Sequence, residues 1–356
     1  MKKNRYIIIA VVVLTLIAVI FILTNSSNTF KSSQSDFAVS DTSNITTIFM
    51  SDKNNNTLKM TRLPGYNWII NDKYTGHKFN INMLLETMLN LKVREPVPIA
   101  ARNNMIKELS VNSVKVEIYQ WVYRIDVFGI RLFPHEKLSK VYYVGGATQN
   151  NLGTYMLMQD SPDPFVIYLP GLRGFVSPRY IPIEKYWRDY TVFKKNIDEI
   201  ASVRIEFPII PEQSFLVSNH QNRNIELVSL IDNRRITNYD TLKLMNFLSA
   251  FRNLNFEALL NDIDQHKKDS ILSSQPFTII TLTDTKGISR TIKTFHKNSG
   301  YDETDYNGKP LPYDLDRAYA LVNDGKDFTL IQFFVFDKIL KPVKYFEKGY
   351  KEESRY

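Results

Sequence analysis

The sequence predicts an α+β protein of mostly antiparallel sheets with few helices, in two tandem similar β-β-α-β-β-hairpin units, behind one N-terminal transmembrane helix. Three observations predict it. Residues Tyr6 to Leu23 form an 18-residue run without a charge. Strand-like segments then follow one another without the intervening helices that parallel sheets require. The body also repeats its own order of elements at an offset of roughly 150–165 residues, the mark of an internal repeat.

The N-terminal run comes first. As a helix it spans roughly 27 Å, close to the hydrocarbon thickness of a bilayer. Lys2, Lys3 and Arg5 precede it, and cytoplasmic retention of positive residues places the N-terminus inside and the remainder outside. The run exceeds the usual apolar core of a secretory signal. Thr24-Asn25-Ser26-Ser27 offers no clear small-x-small cleavage site, so an uncleaved anchor in residues 1–23 is preferred over a cleaved signal. Residues 24–44 are rich in Ser, Asn and Thr and read as a flexible stalk, with ordered structure expected from Ile45.

The first repeat is read over residues 45–196, the second over 197–345, and a charged tail over 346–356. Extended runs at Thr46–Met50 and Leu58–Asn71 correspond to Val203–Phe207 and Ser214–Leu230. The amphipathic helix around Leu84–Leu91 corresponds to the one around Phe247–Leu254, with Asn80 and Asp240 as expected N-caps. Val114–Tyr119 corresponds to Phe277–Leu282, and Leu138–Lys140 to Ile288–Arg290. Hairpins close each half: Tyr155–Asp160 with Phe165–Tyr168, and Tyr319–Asp324 with Phe328–Ile331. One principal helix per half is expected, and the boundary is placed near Asn196.

Composition narrows the function. The chain carries 44% hydrophobic and 13% aromatic residues, as packed cores require. Of the formal charge of +8, the N-terminal flank supplies three, leaving 42 basic against 37 acidic residues. That scattered excess suits a surface beside an anionic membrane and not a nucleic-acid partner, which calls for a basic stripe. The absence of cysteine excludes thiol catalysis, iron–sulfur clusters and cysteine zinc sites. None of His77, His135, His220, His266 and His296 stands in zinc-hydrolase spacing. No serine lies in a GxSxG elbow. The glycine cluster Gly145 to Gly153 leads into a strand, where a phosphate-binding loop needs a helix. Glu303 to Asp314 approaches a calcium-loop pattern, but Pro310 and Pro312 interrupt it and no strong helices flank it. No catalytic residue, cofactor or metal site is therefore expected.

The most unusual segment runs from Pro170 to Phe193. It mixes Arg173, Arg179 and Arg188 with Tyr180, Tyr186, Trp187 and Tyr190. Arginine and aromatic residues are enriched at interfaces, so Arg173, Arg179, Tyr180, Trp187 and Arg188 are the candidate partner or ligand surface. The preferred alternative is that they pack one repeat against the other, with Trp187 as a buried wedge. Glu184 and Asp189 are the nearest carboxylates for a hydrolase.

The runs Val141-Tyr142-Tyr143-Val144-Gly145-Gly146-Ala147-Thr148, Gly153-Thr154-Tyr155-Met156, Phe165 to Gly171 and Tyr186-Trp187-Arg188-Asp189 resemble the bacterial domain-of-unknown-function family 4340, as do Trp68–Asn71 and the helix at Leu84. The resemblance runs from about Leu63 to Phe256 and more loosely beyond. It implies a membrane-anchored envelope protein, in some members associated with ABC-type transport components, and supplies no catalytic residue.

The reading is then a single-pass protein of the bacterial inner membrane whose body lies in the periplasm. It contacts the bilayer through Tyr6–Leu23 and has a non-enzymatic binding or scaffolding role toward an envelope protein, with transporter components as the suggested kind. The alternative is a periplasmic ligand-binding or sensor domain using a cleft between the repeats, lined by Arg173, Tyr180 and Arg188. An envelope hydrolase ranks last.

Overall fold

A computed structural model describes residues 11–18, 20, 35–65, 67–127, 130–220, 224–300, 303–305 and 307–351. Most of the expected membrane helix and residues 24–34 of the expected stalk lie outside these. Residues 11–18 are helical, and no helix long and apolar enough to cross a membrane occurs among the described residues. The chain divides into two compact units between Asp189 and Tyr190, somewhat before the expected boundary at Asn196. The α+β class with antiparallel sheets is the one the sequence predicts.

The first unit holds β1 (Ile45–Ser51), β2 (Thr57–Arg62), β3 (Trp68–Ile70), β4 (Tyr74–Thr75), α1 (Lys78–Asn90), β5 (Lys92–Pro96), α2 (Ile99–Asn112), β6 (Val114–Val127), β7 (Ile130–Ala147), β8 (Thr154–Met158) and β9 (Phe165–Tyr168). They build one nine-stranded antiparallel sheet in the order β4-β3-β2-β1-β6-β7-β8-β9-β5. Period-2 alternation sends Ile48, Met50, Leu58, Met60, Val116 and Ile118 to one face, where all are buried. Helix α1 covers that face because Ile81, Leu84, Leu85 and Met88 fall on one stripe at helical spacing. Its cap is His77 rather than Asn80: the imidazole Nδ1 accepts from the Asn80 backbone N–H at 3.4 Å.

The second unit holds β10 (Thr191–Phe193), β11 (Ile200–Glu206), β12 (Phe215–His220), β13 (Asn224–Ser229), β14 (Arg235–Ile236), α3 (Thr241–Ser249), β15 (Leu254–Asn255), β16 (Ala258–Leu259), α4 (Gln265–Ser273), β17 (Thr278–Asp284), β18 (Ser289–Asn298), β19 (Tyr313–Val322), β20 (Asp327–Gln332) and α5 (Phe333–Phe336). Its sheet runs β14-β13-β12-β11-β17-β18-β19-β20-β16. Strand for strand this is the order of the first sheet. Asp240 caps α3 as expected, accepting from the backbone N–H groups of Leu242 and Lys243. The core is an aromatic cluster in which Phe247 meets Phe215, Phe251 and Phe346 with ring centroids 5.3–5.7 Å apart.

Three expectations need correcting. Each unit carries a second helix, α2 and α4, and the second unit also the four-residue α5. Both are polar helices without a broad apolar stripe: α2 buries Leu109 alone and α4 buries no residue. The stalk is also shorter than residues 24–44. Phe37 and Val39 are buried in the first core, the Val39 N–H donates to the Met88 carbonyl at 2.9 Å, and Lys140 pairs with Asp36 at 2.7 Å. Two apolar side chains at alternate positions suffice to tie this polar stretch down. Trp187, expected between the repeats, belongs to the first unit's own core.

The two glycines of the cluster on β7 differ. A Cβ on Gly145 would lie 2.3 Å from Leu109 Cδ2 and 3.0 Å from the Tyr155 carbonyl, whereas on Gly146 it would meet nothing within 4 Å. Gly145 is where α2 approaches the sheet backbone. Gly145→Ala is expected to cost about 1–3 kcal/mol from overpacking, and Gly146→Ala to stay within about 0.5 kcal/mol. Thermal unfolding of the two variants checks this; equal losses would refute the close approach.

Candidate functional site

The Pro170–Phe193 segment does not form the surface expected of it. Tyr180, Trp187 and Arg188 are buried. The Tyr180 hydroxyl lies 3.3 Å from that of Tyr142, which donates to it, and burial pushes both phenols up from their ordinary pKa. The Trp187 indole donates to the Ile181 carbonyl at 2.7 Å. The Arg188 guanidinium stacks 3.6 Å from the centre of the Tyr74 ring, with Glu184 at 3.9 Å. Arg179 is half-buried and donates to the Thr87 hydroxyl at 2.7 Å. Arg173 alone of the five is exposed. The segment is a strap that closes the first unit around α1: it fills space and satisfies polar groups instead of presenting them. Glu184 accepts from Asn71 at 2.8 Å and the Asp189 backbone donates to Thr75, so neither carboxyl-bearing residue stands apart from this packing.

The open surface lies elsewhere, on the face of the first sheet opposite α1. Strands β6 and β7, of 14 and 18 residues, run on past their neighbours as a two-stranded arm. Pairing of β1 with β6 ends at Gln120, and pairing of β8 with β7 begins at Tyr142. In the second unit the corresponding β17 and β18 have 7 and 10 residues and close in a short turn. Among the described residues only the first unit carries an arm.

The register decides what the arm presents. Tyr119 pairs with Leu138, Trp121 with Glu136, Tyr123 with Pro134 and Ile125 with Leu132. These pairs share one face, and all but Glu136 bring apolar or aromatic bodies to it. The opposite face takes Gln120, Arg124, Asp126, Arg131, His135 and Lys137 together with Val122 and, by alternation, the exposed Phe133, so it is mostly but not wholly polar. A bulge at Ser139, where the register shifts between Ile118 and Tyr119, sets this parity. One residue more or less flips every side chain of a strand; without the bulge β7 would turn Lys137, His135 and Arg131 to the apolar face. Trp121 is 49% exposed, whereas the other two tryptophans, Trp68 and Trp187, are 5% and 4% exposed. Ile125, Ile130, Leu132 and Leu138 are also exposed.

At the base of the arm the same face holds a groove of about 870 Å³, within the range of ligand pockets. Phe49, Tyr119, Trp121, Leu63 and Pro64 contribute its apolar part. Its charges are already engaged. Glu117 accepts from Lys115 at 2.7 Å and from the Tyr119 hydroxyl at 2.8 Å. Burial works against the Glu117 carboxylate, but these hydrogen bonds outweigh it and hold its pKa below the ordinary value. The same bonds raise Lys115 and Tyr119. Glu136 accepts from the hydroxyls of Thr46 and Thr47, Lys59 pairs with Asp72 at 3.0 Å, and Arg62 donates to the carbonyls of Thr42 and Ser43. The corresponding face of the second sheet is a ladder of hydroxyls, Thr281 with Thr291 and Thr283 with Ser289.

No group of three or more His, Asp or Glu side chains that could hold a metal ion occurs among the described residues. In the calcium-like loop, Asp305 accepts from the backbone N–H groups of Asn307 and Lys309, and Asp314 pairs with Lys297 at 2.6 Å.

The fold and this face define an antiparallel α+β protein with an amphipathic ribbon beside an aromatic groove. No family model, no curated protein and no solved structure matches the chain.

Proposed function

We propose that the protein is a membrane-tethered, extracytoplasmic binding or scaffolding protein of the bacterial envelope, without catalytic activity, built by tandem duplication of one α+β unit. The observation that carries the binding role is the open apolar face of the arm and groove. A two-stranded ribbon cannot bury its own apolar side, and contiguous exposed patches of this kind mark interaction sites. Tyr and Trp dominate its base, the residues that anchor protein interfaces. The identical strand order of the two sheets supports the duplication, with the arm as the first copy's specialisation. The tether rests on the uncharged run Tyr6–Leu23 and its basic flank. An accessory role in ABC-type transport rests on the family resemblance alone. The ligand-binding alternative loses its cleft residues, since Tyr180 and Arg188 are buried.

The test uses the full chain in native membranes. With a photoreactive amino acid in place of Tyr123, irradiation is expected to give a discrete cross-linked adduct in the membrane fraction. Adding Trp121→Ala is expected to lower its yield about tenfold, as for an interface anchor. No adduct would overturn the docking role, and recovery of intact chain from the soluble fraction would overturn the tether.

A further inference from the structure

We infer that the occupant of this face is a second copy of the same chain, paired about a two-fold axis so that each arm lies over the other's groove. The inference rests on the docking reading above and names the partner. A single face here holds both a projecting apolar ribbon and an adjoining recess. A two-fold pairing needs a self-complementary patch, in which residue i meets j and j meets i, and ribbon with recess satisfies it in both directions at once. Sheet faces pack in this way about 10 Å apart with strands roughly 30° from alignment.

The size also suits a dimer. Of the fourteen residues lining the groove all but the buried Ile45 keep some exposed surface, and Tyr123, Ile125, Ile130, Leu132, Pro134 and Leu138 extend the same face, nineteen residues in all, at the lower edge of what a dimer needs. A stable interface takes roughly 20–30 residues from each partner.

The charges of this face do not oppose an apolar occupant. The groove contains Lys59, Arg62, Glu117 and Glu136, two charges of each sign. Each is held within its own chain, so a flat apolar partner would leave no buried charge without a partner.

The absence of native cysteine makes the test specific. Two variants of the full chain in detergent, Leu132→Cys with one affinity tag and Thr47→Cys with another, are mixed and oxidised. Leu132 stands on the arm and Thr47 in the groove. The expected result is a disulfide-linked species carrying both tags, formed at least tenfold more than either variant forms alone. The cysteine-free chain should sediment as a dimer, and Leu132→Asp should shift it to monomer with unchanged thermal unfolding, because Leu132 is exposed. A monomer at about 100 μM overturns the inference, as does a mixed disulfide no more abundant than the single-variant products. An adduct to a different protein in the photo-cross-linking experiment also overturns it while leaving the docking reading intact. Loss of Trp121 emission to brominated acyl chains in anionic vesicles overturns it in favour of lipid.

Discussion

Replacing Trp187 by alanine is expected to destabilise the first unit by about 3–5 kcal/mol, the usual cost of removing a buried tryptophan. Trp187 is 4% exposed. Its indole N–H donates to the Ile181 carbonyl at 2.7 Å, so truncation leaves a cavity and a carbonyl without its donor. Its backbone also joins the strap to the start of α1: the His77 N–H donates to the Trp187 carbonyl at 2.7 Å. Denaturant titration followed by tryptophan emission measures the loss. All three tryptophans lie in the first unit, so Trp68 and Trp121 report that unit in the variant. A loss below about 1 kcal/mol, the range of ordinary surface substitutions, would mean that Trp187 belongs to an exposed surface after all.

Phe247→Ala is expected to have an effect of the same size, about 3–5 kcal/mol, on the second unit. Phe247 is 2% exposed. Three aromatic rings converge on it, those of Phe215 at 5.7 Å, Phe251 at 5.4 Å and Phe346 at 5.3 Å, so the void would be lined by rigid side chains that cannot collapse into it. The second unit has no tryptophan, and emission does not report it. Hydrogen exchange at the amides of β11 and β12 does, because Phe215 stands on β12 directly above the void. Protection unchanged in the variant would show that the cluster does not hold the second sheet.

Much of the framework was legible in the chain. The alternation in Thr46–Met50 and Val114–Tyr119, the stripe at Leu84 and Met88, and the hairpin turns each mark their element through a local period. The two sheets share one strand order, which rests on pairings between distant segments that no local period contains. Helices α2 and α4 were missed because their residues carry no strong stripe, and what orients them is contact with the sheet, as where Leu109 meets Gly145. Phe37 and Val39 read as part of a stalk because two apolar residues in a stretch of polar ones are too few to establish a period.

The Pro170–Phe193 segment reads as a surface for a different reason. Arginine and aromatic residues in Pro170–Phe193 have the composition of an interface, but composition does not distinguish a side chain that meets a partner from one that meets its own core. Arg188 stacks on Tyr74 and Tyr180 meets Tyr142, residues far from them in sequence. The signal that could have found the arm was present in the alternating apolar positions Trp121, Tyr123, Ile125 and Ile130, Leu132, Pro134.

Sequence by itself determined the α+β class of the fold, because the alternating and helical periods that mark its strands and principal helices are local. Tertiary structure alone decided which apolar residues are covered. The inward face of the first sheet is closed by α1 and the strap, while on the outward side α2 covers Gly145 and the face of the arm and groove stays exposed. Which residues the arm presents turns on one extra residue at Ser139, whose bulge sets the parity of β7 against β6, and a cross-strand register is a relation between two strands that neither contains alone.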